Sequence, residues 1–277
     1  MSERIPRRAL LLVATAVAAI SAFAMSAVSA SAATEVVYSN IPTSIAGNYS
    51  SIGPEAYAYR EFGGQMELAN TARNKPTVEV VMSSWGCQYG SWYANSCETP
   101  QPTKKFHWPI TLNVYEVGEK NAVGEKLGSI TKNFSMPYRP SQTPSKCPAV
   151  EGLYYNTTDK ACRHGLAFKI KFPPLKVLRL PKRVIFGISY NTSHYGPVPA
   201  GDKTACYTKS AGCYYDSLNV GLEEAGENLL KVGADPAEPY TQSTSSEMTC
   251  GETSLETKFG ETKCLAELQP LFKITAH

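Results

Sequence analysis

A serine, a histidine and an aspartate in the second half of the chain are the residues whose types could support nucleophilic catalysis. His194 could act as a general base, with Ser193 as the nucleophile and Asp216 as the group that orients the imidazole. Asp202 could orient the imidazole in place of Asp216, and Ser217 could replace Ser193 as the nucleophile. Nothing in the sequence brings these groups together, and we favour a structural histidine whose nitrogens bind loop carbonyls. Catalysis at His194 is therefore a hypothesis.

Acidic side chains on or beside predicted strands offer a second kind of chemistry. Glycoside hydrolysis uses two carboxyl groups placed several ångströms apart across the scissile bond. Acidic residues on the solvent face of a strand are also ordinary, so an extracellular hydrolase of polysaccharides or esters is an alternative. The candidate carboxyl groups are Glu61, Glu79, Glu116, Asp216 and Glu223.

Aromatic residues are concentrated in the predicted loops, and they favour binding over catalysis. Rigid rings with polar edges suit contact with glycans or proteins. The alternative is that each ring packs against a disulfide or over the end of a sheet. The candidate ligand-binding residues are Trp85, Tyr89, Trp92, Tyr93, Tyr190 and Tyr195.

Charge and motifs disfavour several functional classes. The sequence has no nucleophile elbow, zinc-protease helix, phosphate-binding loop, dinucleotide fingerprint or EF-hand loop. No cysteine pair has zinc-ligand spacing, so we predict no metal and no cofactor, and leave calcium open. The chain has 27 basic and 24 acidic residues, and removal of a leader with three Arg and one Glu leaves 24 and 23. Such a balance gives no electrostatic case for nucleic acid or for an anionic membrane.

All eight cysteines lie after residue 32 and fall into four close pairs, with separations of 10, 15, 7 and 14 residues. An even number of cysteines in an exported chain is typical of a disulfide framework. Each short bridge would contribute about 2 to 3 kcal/mol by restricting the unfolded chain. We predict the sequential pairs Cys87–Cys97, Cys147–Cys162, Cys206–Cys213 and Cys250–Cys264.

The segments between these cysteines have the alternation of half-buried strands. Its clearest example is Leu166, Phe168, Ile170 and Phe172, with polar or small residues between them. About ten such strands, many turns and few helical patterns predict an all-β fold. We expect a two-sheet antiparallel sandwich, jelly-roll-like, whose long loops are clamped by the disulfides. We also expect a tight turn at Gly63–Gly64 and a weak helix within residues 222–231.

The first 32 residues have the features of an export signal. Arg4, Arg7 and Arg8 precede an uncharged apolar run, and small residues lead to a predicted cleavage site after Ala32. We therefore expect a signal peptide at residues 1–32, a single β-sandwich domain at 33–277, and a secreted, extracellular protein. No second apolar run is long enough to span a membrane.

Six motifs resemble those of a group of exported actinobacterial proteins of unassigned function. The resemblance extends from Val36 to Thr275, and it implies export without implying an activity or site residues. The motifs are VYSNIP (37–42), EFGGQ (61–65), MSSWGC (82–87), PYRPS (137–141), IFGISYNTSHYGP (185–197) and YDSLNVGL (215–222).

Three functional readings follow from these features. Ordered aromatic loops without a catalytic signature favour a secreted binding or cell-envelope interaction protein, with a cell-wall or other extracellular glycan as the expected partner. A hydrolase is the first alternative, and a structural, surface-associated protein is the second. The oligomeric state does not follow from the sequence.

Overall fold

The alternating segments form fifteen strands in the part of the chain that the structure describes. The structure is a computed structural model, and it describes residues 33–277 except 46, 55, 56, 58, 91, 93, 94, 178, 192–217, 224, 225, 244–257, 263 and 264. The strands are β1 (Glu35–Ser39), β2 (Ser51–Ile52), β3 (Tyr59–Glu67), β4 (Thr77–Ser84), β5 (Lys105–Val117), β6 (Val123–Pro137), β7 (Tyr154–Asn156), β8 (Ala161–Arg163), β9 (Leu166–Lys171), β10 (Arg183–Ser189), β11 (Leu218–Glu223), β12 (Tyr240–Ser243), β13 (Gly260–Glu261), β14 (Gln269–Pro270) and β15 (Phe272–Ala276). A 3₁₀ turn, Glu119–Asn121, separates β5 from β6.

Two antiparallel sheets contain all but two of these strands. Sheet A consists of β1, β2, β4, β9, β11, β14 and β15, and sheet B consists of β3, β5, β6, β10, β12 and β13. The remaining strands, β7 and β8, form a separate hairpin. The prediction of an all-β fold with antiparallel sheets is confirmed, and residues 33–277 form one compact unit.

Strand order within the sheets is that of a jelly roll. Sheet A contains the neighbours β1-β15-β4-β9, and sheet B contains β3-β10-β5-β6. If these eight strands are numbered in chain order, the sheets read 1-8-3-6 and 2-7-4-5, as in a double Greek key. Strands β11 to β14 are inserted between the seventh and eighth of these strands, and they extend both sheets.

The inward faces of the two sheets meet in one hydrophobic core. Strand β4 contributes Val78, Val80 and Met82 to this core, and strand β10 contributes Val184, Phe186 and Ile188 at the same period of two. Contact between the sheets is direct, since the ring centroids of Phe186 in sheet B and Phe272 in sheet A lie 6.3 Å apart. Burial of alternate residues explains why the strand pattern was legible in the sequence.

Two local predictions are wrong. Strand β3 continues through Gly63–Gly64 instead of turning. At Gly63 the backbone of β3 lies too close to that of β10 for a side chain, since a Cβ atom there would lie 2.0 Å from the carbonyl oxygen of Phe186. The described residues between 222 and 231 form no helix, because β11 runs to Glu223 and the chain then lies against β1, where Lys231 N donates to the oxygen of Ser39.

Candidate functional site

Two disulfide-bonded segments pack together at one end of the sandwich. The structure contains Cys87–Cys97 and Cys147–Cys162, two of the four pairs expected from the cysteine spacing. We call residues 86–99 and 138–165 the disulfide platform. The first segment connects β4 of sheet A to β5 of sheet B, and the second connects β6 of sheet B to β9 of sheet A. The described residues of both predicted loops thus belong to one substructure, and the second loop contains the β7–β8 hairpin.

Hydrogen bonds join the two segments of the platform at several points. The backbone N–H of Gln142 donates to the oxygen of Cys97 over 3.1 Å. The hydroxyl of Thr99 donates to the carbonyl oxygen of Arg139 over 2.7 Å. The amide of Asn95 also contacts the carboxyl group of Glu151. Each disulfide lies within a single segment, so it is these hydrogen bonds that link one segment to the other.

Arg139 lies fully buried at the centre of the platform. Its Nη2 donates to the oxygen of Gly152 over 2.7 Å, and its Nε donates to the oxygen of Pro140 over 3.2 Å. The guanidinium carbon lies 5.1 Å from the centroid of the Tyr154 ring. Carbonyl dipoles and an aromatic face stabilise the charge in place of the water that burial removes.

Three aromatic side chains form a cluster at the start of the platform. Trp92 and His164 belong to the platform, and Trp85 immediately precedes it. The Trp85 indole stacks on the His164 imidazole with centroids 5.3 Å apart and an interplanar angle of 3°. Trp92 meets both rings edge-on, at 5.1 Å from Trp85 and 5.0 Å from His164. Burial, and next the nearby charge of Arg139, lower the pKa of His164, so the imidazole is neutral at neutral pH.

Trp85 is oriented by a short chain of hydrogen bonds. Its indole N–H donates to Ser83 Oγ over 3.0 Å, and that hydroxyl donates to Asn48 Oδ1 over 2.6 Å. Gly165 makes room for this chain, because a Cβ atom there would lie 2.3 Å from Ser83 Oγ and 2.5 Å from the indole nitrogen. One edge of Trp85 is thereby held towards the segment that begins at Asn48.

A pocket of about 380 Å³ lies beside this edge of Trp85. We call it the platform pocket. Its volume falls within the usual range for small-ligand sites, roughly 300 to 1,000 Å³. The residues that line it come from distant parts of the chain and combine aromatic, polar and aliphatic groups: Asn48, Tyr49, Ser50, Ser51, Ile52, Tyr57, Trp85, Arg163, Leu222 and Leu268.

An ion pair supports one wall of the platform pocket. Nε and Nη2 of Arg163 both lie 2.9 Å from Asp159 Oδ2. Gly47 leaves the space for this pair: its φ is +70°, and a Cβ atom there would lie 1.8 Å from the same carboxylate oxygen. A glycine is therefore required just before Asn48 and Tyr49 for both backbone and packing reasons.

The aromatic residues predicted to bind a ligand occupy different environments. Trp85 lines the pocket but is only 8% exposed, and Trp92 packs behind it. Tyr89 is 53% exposed and lies outside the pocket. Tyr190 is 7% exposed and belongs to the core, where its hydroxyl donates to the oxygen of Leu218 over 2.9 Å.

Other predicted residues fall outside the part of the chain that the structure describes. They are Tyr93, Ser193, His194, Tyr195, Asp202, Asp216 and Ser217, together with the pairs Cys206–Cys213 and Cys250–Cys264.

The described carboxyl candidates lie on separate parts of the sandwich. Glu61 accepts hydrogen bonds from Asn113 and Tyr115 on the outer face of sheet B, and burial raises its pKa. Glu79 forms an ion pair with Lys171 across 3.6 Å. Glu223 lines a second pocket, of about 400 Å³, with Asp235.

Asp235 was not expected from the sequence. Burial raises its pKa to about 6, the hydrogen bond from Tyr38 counteracts part of this change, and the charge of Glu223 adds to it. The Tyr38 hydroxyl donates to Asp235 Oδ1 over 2.5 Å.

Within the described ranges, no three His, Cys, Asp or Glu side chains are grouped as a metal ion would require.

Sequence reasoning also missed most of the platform pocket. Asn48, Tyr49 and Arg163 lie in short polar segments with no periodicity, and the pocket forms only when β2, the platform and the end of β11 come together. The one available signal was the Trp85-Gly86-Cys87 run, where a large ring adjoins a disulfide.

Comparison with protein-family models, with characterised proteins and with solved structures finds no match to this chain. The resemblance to exported actinobacterial proteins therefore stays a prediction. Disulfides of this kind are typical of extracellular proteins. Among the described residues, no helical segment has the length and apolar character needed to span a membrane.

Proposed function

We propose that the protein is exported and binds a glycan outside the cell, with the platform pocket as the binding site. The observation that carries this proposal is the composition of that pocket. Tyr49, Tyr57 and the edge of Trp85 offer aromatic surface, while Asn48 and Arg163 offer hydrogen-bonding groups in the same 380 Å³ space. Sugars present apolar C–H faces and polar hydroxyl edges, so this combination suits them.

The rigidity of the pocket supports the same proposal. Trp85 is fixed by its stack on His164 and by the hydrogen-bond chain through Ser83 to Asn48. Two disulfides hold the platform, which carries Arg163 and adjoins Trp85. A site that is already ordered loses little conformational entropy on binding, which favours affinity for a small polar ligand.

Affinity electrophoresis against a panel of soluble cell-wall and plant polysaccharides, followed by calorimetry with oligosaccharides of the retained polymer, tests the proposal. Tyr49→Ala should weaken binding at least about tenfold, because a ring that contacts the sugar commonly contributes more than 1 kcal/mol. Tyr89→Ala is the matched control, since it removes an exposed platform tyrosine outside the pocket, and its affinity should equal that of the wild type.

Three outcomes would contradict the proposal. Equal loss of affinity in both variants would place binding elsewhere on the platform. Release of reducing sugars from the retained polymer would favour the hydrolase reading instead. Absence of binding to every polysaccharide, with wild-type circular dichroism intact, would favour a structural, surface-associated role.

A further inference from the structure

The charges around the platform pocket restrict the class of saccharide that it can bind. Among the described lining residues, Arg163 is the only one with a formal charge. An arginine in a binding site commonly recognises a carboxylate or phosphate by two parallel hydrogen bonds. The contacts of this arginine decide whether it is available for such recognition.

Arg163 already has an acidic partner within the protein. Its Nε and Nη2 both lie 2.9 Å from Asp159 Oδ2, so one of the two guanidinium edges that can bind an anion by two hydrogen bonds is committed to Asp159. The Asp159 side chain is 16% exposed and the Arg163 side chain 37% exposed. Gly47 fixes the carboxylate in this place, because the backbone passes within contact distance of Oδ2. The pair therefore presents little net charge to a ligand.

A further acidic group, Glu227, acts on Tyr49 in the wall of the pocket. Burial, and next the negative charge of Glu227, raise the pKa of Tyr49, while Arg163 lowers it by less. The Tyr49 phenol is therefore neutral at physiological pH. A carboxylate or phosphate on the ligand would have to compete with Asp159 for the arginine.

We infer that the platform pocket binds an uncharged saccharide, with the paired Arg163 donating to sugar hydroxyls, and that it discriminates against uronic-acid or phosphorylated glycans. This inference rests on the proposed glycan-binding function. The guanidinium has five N–H donors, two of which point at Asp159. The others can donate to hydroxyl oxygens without a countercharge on the ligand. In this arrangement Asp159 sets specificity by neutralising the arginine, without itself lining the pocket.

Calorimetry with neutral hexasaccharides of glucose, xylose and mannose, and with hexagalacturonate, tests the inference. Each ligand is measured at about 50 and at about 500 mM NaCl, because the higher salt concentration screens charge pairs much more strongly. Wild-type protein should bind a neutral oligosaccharide with an affinity that changes less than about twofold between the two salt concentrations. Hexagalacturonate should bind at least about tenfold more weakly, the equivalent of one charge-assisted hydrogen bond.

Asp159→Asn provides the decisive variant, because it removes the countercharge and keeps the size of the side chain. The affinity for hexagalacturonate should rise about tenfold and become salt-dependent, while neutral ligands should change little. Glu79→Gln is the matched control: it breaks the Glu79–Lys171 ion pair, outside the platform pocket, and changes the net charge equally. It should leave both affinities unchanged.

The outcomes separate this inference from the function on which it rests. Preferential, salt-sensitive binding of hexagalacturonate by the wild type, lost in Tyr49→Ala, would overturn the neutral-ligand inference and leave glycan binding intact. An Asp159→Asn affinity for hexagalacturonate equal to that of the wild type would also overturn it. Failure of the folded wild type to bind either class would overturn both.

Discussion

Replacement of Asp235 by asparagine should make the protein more stable at neutral pH. Asp235 lies in the wall of the second pocket with Glu223, Glu227 and Glu267. Its carboxyl group accepts a hydrogen bond from Tyr38, which is fully buried. Burial is the main cause of its high pKa, because the charged form loses hydration that one hydrogen bond only partly replaces.

The size and sign of the effect follow from the displaced pKa. Each tenfold change in the ionisation constant corresponds to about 1.4 kcal/mol, so a rise from 3.8 to about 6 corresponds to about 3 kcal/mol, an upper bound for a carboxyl group with residual exposure. A folded-state pKa above the unfolded one means that the folded state holds its proton longer. The contribution is therefore fully present below pH 3.8 and is lost as the pH rises through about 6.

Urea unfolding of both proteins at intervals from pH 4 to pH 8 measures this difference. Asparagine resembles the protonated carboxyl group in shape and cannot ionise, so the two proteins should be similar at pH 4. At pH 8 the variant should be more stable by about 2 to 3 kcal/mol. His164 and Glu61, whose pKa values are also displaced, are present in both proteins and cancel in the difference.

Tyr38→Phe supplies a second check on the same reasoning. It removes the hydrogen-bond donor that favours the ionised carboxylate and so raises the pKa of Asp235 further. The loss of stability between pH 4 and pH 8 should therefore be larger in this variant than in the wild type. A difference between Asp235→Asn and the wild type that stays constant within about 0.5 kcal/mol from pH 4 to pH 8, near the error of such measurements, would refute the argument.

Two further predictions concern the platform. Gly47→Ala should destabilise the protein by about 1 to 3 kcal/mol more than Gly226→Ala in urea unfolding. Both glycines have a positive φ, but only the added Cβ atom at Gly47 meets Asp159. Equal losses of stability would show that the contact with Asp159 is relieved at no cost. Removal of the Cys147–Cys162 bridge by double alanine substitution should lower the free energy of unfolding by about 3 kcal/mol for a 15-residue loop. Far-ultraviolet circular dichroism should retain the β-sheet signal, and its loss at 25 °C would mean that the sandwich depends on this bridge.

The framework of strands was largely predictable because sandwich strands bury alternate residues. Ile170 and Phe172 lie in the core as their spacing predicts, and the same period in β10 extends to Tyr190. That tyrosine could therefore have been assigned to the core from Val184, Phe186 and Ile188, instead of to a binding surface. The prediction of a turn at Gly63–Gly64 was wrong because a Gly-Gly pair occurs both in hairpin turns and where two strands approach closely, and the sequence does not distinguish the two.

The platform pocket could not be predicted, because its walls meet only through the topology. Tyr49, Arg163 and Leu268 lie more than 100 residues apart in the chain, and nothing local to any of them indicates the others. The ion pair of Arg163 with Asp159 is local, four residues apart in a hairpin, but a hairpin within a polar segment was not expected there. Short strands such as β7, β8 and β12 have too few residues to display a period.

The spacing of the described disulfides bears on which cysteines pair first when the chain is oxidised. Each bond joins a cysteine to the next one along the chain, 10 and 15 residues away. Short loops of this size close in well under a microsecond, far faster than two sheets assemble. Short, consecutive spacing thus favours the two native pairs of the platform over longer-range alternatives, because a shorter loop costs less entropy to close.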